Sequence, residues 1–130
     1  MIVNFILEKI NVEKKKEIIG NVEVKNNTKI TNVTELTLEA LGKKQNALNV
    51  NFSFAITYEP SLAAILIEGR LVDLVEEKEK KAVLEVWKKE QKVDPKYSST
   101  WMNAILARCN IKALSLGNDV NLPPHIPFPR

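Results

Sequence analysis

The sequence predicts an α+β fold: a four-stranded antiparallel meander sheet followed by two C-terminal helices packed on it. Three observations predict it. Leu48, Val50, Phe52, Phe54, Ile56 and Tyr58 fall at every second position, with polar or small residues between them, the period of a half-buried strand. Beyond Val75 the apolar spacing changes to that of amphipathic helices. The chain closes on a proline-spaced run from Leu122 to Arg130. With 130 residues, 45% of them hydrophobic, one core is expected and residues 1–130 read as a single domain.

Taken in order, Ile2 to Val12 is rich in large and β-branched residues. Ile2, Ile6 and Ile10 share one face and Val3, Phe5 and Leu7 the other, which predicts a strand that is central or covered twice. Lys14 to Glu17 breaks the run, and an irregular piece is expected near Ile18-Ile19. Val22 and Val24 lead to Asn26-Asn27, a pair that suits a hairpin turn. A return strand from Thr28 to Ala40 follows, with Ile30, Leu36, Leu38 and Ala40 on one face and Lys29, Thr31, Val33, Glu35, Thr37 and Glu39 on a wet one. Gly42 to Asn46 reads as a second turn before the Leu48–Tyr58 strand. Glu59-Pro60-Ser61 reads as a tight reversal, after which Ala63, Ile65, Ile67, Gly69 and Leu71 form the inward set of a fourth strand.

The helices carry their own signatures. Glu76 with Lys80 and Glu77 with Lys81 have the acid four residues before the base, the favourable orientation for helix surface pairs. Val83, Val86 and Trp87 give that helix a narrow apolar stripe. Asp94-Pro95 reads as an N-cap followed by a first-turn proline. Trp101, Met102, Ile105, Leu106, Cys109, Ala113 and Leu116 then form a stripe broad enough to lie across a sheet, and Gly117-Asn118 reads as the stop.

Chemistry is sparse. His125 is the single histidine, in the tail and without an acid partner in sequence, and reads as an exposed linker residue rather than a general base. Cys109 falls on the apolar stripe and reads as a buried structural thiol. One Cys and one His cannot build a structural zinc site, and the four scattered glycines form no phosphate-cradling loop. No catalytic residue, cofactor or metal is expected, and a binding function is favoured over an enzyme. The lone cysteine and a start, Met1 to Phe5, unlike a signal peptide predict a cytoplasmic protein. No run is long enough for membrane insertion. The pI near 9.0 raises the question of nucleic acid, but the net charge of +3 is spread over both halves rather than clustered.

Ala107-Arg108, followed by Ile111, Gly117 and Asn121-Leu122-Pro123-Pro124, resembles the C-terminal pattern of the SecB export-chaperone family. Phe5 and Ile10, in an apolar first strand that runs into a short charged segment, resemble its opening. The resemblance implies a homo-oligomer built as a dimer of dimers, which binds unfolded or preprotein polypeptides in an apolar groove without nucleotide. A link to protein export is part of what the resemblance implies; the family's acidic character and acidic tail, whose charges would mediate docking on an export motor, are not seen in these residues. Phe52, Phe54, Tyr58, Trp87 and Trp101 are the expected client-binding lining. Ordinary core packing is the alternative for Phe52 and Phe54. Trp87 and Trp101 are expected at a partner surface, because a small domain has limited room to bury both. The tail prolines predict an extended segment that crosses the protein or docks on a neighbouring subunit. Two other readings compete with a holdase chaperone. One is a nucleic-acid or ribosome-associated protein using Lys14, Lys15, Lys16, Lys43, Lys44, Lys88, Lys89 and Lys92; the other is an assembly subunit of a larger complex.

Overall fold

The alternation that opens at Leu48 extends over a longer strand than the apolar pattern marks. In the computed structural model, which describes residues 1–18, 20–40 and 42–125, β1 (Ile2–Lys14), β2 (Glu23–Ala40), β3 (Lys43–Glu59) and β4 (Ala63–Leu74) precede α1 (Glu77–Glu90) and α2 (Pro95–Asp119). All four strands pair antiparallel in one sheet. The inward residues of β3 and β4 are those the period of two selects: Leu48, Val50, Phe52, Phe54, Ile56 and Tyr58 face Ala63, Ile65, Ile67 and Leu71, all buried.

The topology departs from a plain meander. The spatial order is β1-β4-β3-β2, so β2, β3 and β4 meander while β1 crosses to the far side and pairs with β4. The strand whose two apolar faces suggested a central position is therefore an edge. Register explains its pattern. Bulges between Ile2 and Asn4 and between Leu7 and Lys9 each insert a residue and switch which parity faces the core. Ile2, Phe5, Leu7 and Val12 consequently pack on the core side together, although they span both sequence faces.

β2 differs in two ways. No turn forms at Asn26-Asn27; both lie inside a continuous strand opposite Ile56 and Ala55. A bulge between Ile30 and Asn32 then flips the parity, so that Val33 pairs with Val50 and is buried instead of wet. The second turn is also shorter than expected. Lys43 to Asn46 already belong to β3, and Gly42 takes a positive φ of +74° at the reversal. Ile18 packs against the core, whereas Ile19 lies outside the described residues.

The helices cover one face of the sheet. α1 lies over β2 and β3, and α2 over β4 with contacts to β2 and β3. Asp94 caps α2 by accepting from the Lys96 amide at 2.9 Å, with Pro95 in the first turn. Trp101, Ile105, Cys109, Ala113 and Gly117, at steps of four, are the residues α2 buries. Gly117 does not stop the helix; it continues to Asp119, and Asn121 takes the left-handed φ of 59°. On α1, Val83 and Trp87 are buried but Val86 is exposed. The Glu77–Lys81 pair forms at 3.3 Å, whereas Lys80 turns inward to donate to Asn46 Oδ1 at 2.7 Å and approach Glu35 at 3.8 Å. No helix among the described residues is long and apolar enough to cross a membrane.

Candidate functional site

The five aromatic residues singled out by sequence all lie in one core layer between sheet and helices, but beneath three different covers. Trp87, on the inner side of α1, donates its indole N–H to Asn32 Oδ1 at 3.3 Å. Trp101, on α2, is fully buried and donates to Asp73 Oδ2 at 2.8 Å; the other Asp73 oxygen accepts from the Met1 amino group at 2.7 Å. Phe52 stacks at a tilt on Phe5 of β1, ring centroids 5.1 Å apart. Phe54 and Tyr58 lie under the residues that follow α2. The tryptophans thus do not stand at an open surface: the domain buries both, Trp87 to 8% exposure and Trp101 completely. A long helix crossing the sheet provides the room that residue counting alone does not reveal.

The cover over Phe54 and Tyr58 is built by the tail. After α2 the Leu122 amide donates back to the Gly117 carbonyl at 2.8 Å, which reverses the chain. The Tyr58 hydroxyl donates to the Pro123 carbonyl at 2.6 Å. Leu122 is buried, and His125 Nε2 lies 2.9 Å from Asn110 Oδ1, with its ring edge-on to Phe54 at 6.1 Å. The segment therefore doubles back along two turns of α2, beside a small cavity of about 160 Å³ lined by Tyr58, Ala113, Gly117, Leu122, Pro123 and His125. His125 is partly buried, not an exposed linker residue. Burial lowers its pKa and raises that of Tyr58. Residues 126–130, which include the last three expected tail features, Pro127, Phe128 and Pro129, lie outside the described residues.

A second candidate surface needed the structure to be seen. Among the described residues no strand pairs with the outer side of β1, so its backbone groups form an open ladder edge. Val3 and Ile10 on this strand are 43% and 44% exposed, and Ile111 on α2 is 71% exposed. A groove of about 400 Å³ between β1 and α2 is lined by Ile2, Val3, Asn4, Phe5, Ala104 and Arg108. The Arg108 guanidinium stands over the Phe5 ring at 5.1 Å, so the groove has an apolar floor and one cationic wall. Sequence reasoning missed this edge because the strand order that leaves β1 unpaired is not encoded in β1 itself.

Neither surface assembles reactive groups. Cys109 is buried, and burial pushes its thiol up to about 11, the opposite of what a nucleophile needs. No three His, Cys, Asp or Glu side chains converge as metal ligands among the described residues. On the face of the sheet away from the helices, Asn49 accepts from Arg70 at 2.9 Å and donates toward Asn51 and Thr34 at 3.1 and 3.4 Å. That face is a polar, self-satisfied ladder.

Four antiparallel strands in the order β1-β4-β3-β2, with two helices on one face, match a solved structure. The Mycobacterium tuberculosis Rv1957 SecB-like chaperone, in complex with a ChAD peptide from the Rv1956 HigA1 antitoxin, superposes with a TM-score of 0.67. The match covers 100% of this chain and 89% of that one, at 12% sequence identity. The fold is SecB-like. No protein-family model matches the chain, and no curated protein matches it by sequence. Within this SecB-like fold the C-terminal residues that carry the sequence resemblance have distinct places. Arg108 walls the β1 groove, Ile111 is exposed on α2, and Leu122 with Pro123 forms the segment doubled back on α2.

Proposed function

We propose that this protein is a non-catalytic holdase: it binds extended apolar stretches of unfolded polypeptides and keeps them soluble without nucleotide. The observation that carries this reading is the likeness of fold, over the whole chain, to a SecB-like chaperone that binds a peptide. Two features of this chain support it. The open β1 edge offers backbone pairing to an extended segment, with alternate side chains entering the groove between β1 and α2. The layer of Phe52, Phe54, Tyr58, Trp87 and Trp101 supplies apolar area beneath covers that include a short doubled-back segment.

The magnitudes are adequate. Burying one large apolar side chain contributes about 1.5–3 kcal/mol. Several such contacts offset the ordering of an extended chain and leave micromolar binding, about 8 kcal/mol. The same β1 edge also suits a second copy of the chain, and a homo-oligomer, a dimer of dimers, belongs to this proposal.

The test is light scattering of a chemically unfolded, unrelated protein diluted into buffer with this chain present. Suppression near stoichiometric ratio, unchanged between low and high salt, is the expected result, because apolar capture is weakly screened. No suppression at several-fold excess overturns the reading. Polynucleotide binding that weakens steeply with salt would instead favour the nucleic-acid alternative.

A further inference from the structure

The residues that follow α2 are held by contacts too specific for a passive tail. Asn121 turns the chain, Leu122 is anchored in the core, and the Tyr58 hydroxyl holds the Pro123 carbonyl. Pro123 and Pro124 have no N–H, so an extended segment enters this apolar groove without bringing two donors that would need partners there. At the far end His125 closes the segment onto Asn110 and Phe54.

We propose that residues 121–125 are a proton-released strap: closed at neutral pH, they fill the groove between α2 and β3, and protonation of His125 lifts them to bare Phe54, Tyr58 and the flank of α2. That the bared groove then receives an unfolded chain rests on the holdase reading; the release itself does not.

The geometry of His125 makes it the latch. Its Nε2 faces a carbonyl oxygen, that of the Asn110 side chain, so Nε2 carries the proton in the neutral ring. Nδ1 is buried and has no hydrogen-bond partner among the described residues. A second proton would place a buried cationic N–H there with no acceptor among the described residues, and an unpaired buried charge is strongly unfavourable. The described residues that touch its ring or line the cavity beside it bring no anionic partner. From β3 come Phe54 and Tyr58, the latter kept neutral by burial; from α2 come Asn110, Ala113, Leu114, Gly117 and Asn118. No carboxylate is among them. Because burial lowers the His125 pKa, the closed strap binds a proton less readily than the free one. Closure is therefore at full strength above the ordinary imidazole value of 6.5, weakens as pH falls through it, and reaches its minimum below the lowered value.

As the only histidine in the chain, His125 gives a single imidazole signal by NMR. In the full-length protein at pH 7.5, cross-relaxation between that ring and the Phe54 ring is expected. It should vanish on titration to pH 5 while Trp101 fluorescence stays buried. The midpoint should lie below that of His125 in a free peptide of residues 119–130. His125→Gln, which keeps a donor for Asn110 but cannot take a proton, should hold Phe54 contact throughout. Absence of the contact at pH 7.5, or its persistence at pH 5 in the wild type, overturns the proposal. A fluorescent extended Leu- and Phe-rich peptide should bind several-fold more tightly to the wild type at pH 5.5 than at 7.5, with no such change for His125→Gln. If both proteins shift together, the strap does not gate the groove and that half is overturned. If neither suppresses aggregation at any pH, the holdase reading falls, and the NMR titration still decides whether the strap opens.

Discussion

Two residues set the tightest local constraints in this fold. Gly69 lies opposite Leu7, at the second bulge of β1. A Cβ there would collide with the Ile6 carbonyl oxygen and come within 3.0 Å of the Phe52 ring. Because the obstacle is backbone, β1 would have to leave the sheet, and Gly69→Ala should destabilise by at least about 3 kcal/mol in urea unfolding. A loss below about 1 kcal/mol would show that the bulge relaxes freely. Cys109 is the other. With its thiol pushed up to about 11 and its side chain buried, roughly one molecule in a thousand carries a thiolate at pH 8. A thiol-specific disulfide reagent should label the native protein at least about a hundred-fold more slowly than the urea-unfolded chain. The raised value also fixes a sign: the stability it contributes is complete below the ordinary thiol value and lost as pH rises toward 11.

Among the elements, α1 is a short amphipathic helix whose attachment depends on few side chains, Val83, Trp87 and the inward Lys80. Trp87→Ala should cost about 3–4 kcal/mol, seen as a lowered midpoint in chemical unfolding followed by Trp101 fluorescence. In the proposed homo-oligomer, β1 is the edge offered to a second copy of the chain. Replacing Val3 and Ile10 together by lysine places charge on an open edge. Sedimentation should then show a shift toward monomer with the circular dichroism spectrum unchanged; an unaltered mass would exclude this edge as the contact. Legibility from sequence divides along the same elements. β3 and β4 alternate cleanly because a strand paired on both sides has its register fixed by its neighbours. α2 announces itself through Asp94-Pro95 and a stripe that never breaks. Val33, Phe5 and Ile2 were opaque, because each faces the core only through a bulge, and a bulge is a relation between two strands rather than a property of one. Of the aromatic layer, the sequence shows the apolar positions but not that they are covered, since burial depends on what the helices and tail do after the sheet has formed.

At the scale of the whole molecule, one core serves a single sheet face, and the opposite face carries the Asn49–Arg70 polar ladder. Capture should therefore occur on the helix side and along β1, and labels placed at Ser53 or Thr57 on the polar face should remain accessible when an unfolded chain is bound. Protection of those positions would move the capture surface to the other side of the sheet. The covered aromatic layer has a further consequence. If the residues that grip a client are the same ones that hold helices to sheet, then only the fraction of molecules with a cover lifted is competent to bind, and the apparent affinity is the intrinsic one scaled by that fraction. Folding stability and capture then oppose each other. Mild urea, or a substitution that loosens α1, should strengthen client retention before it unfolds the protein, and a hyperstable variant should be the poorer chaperone.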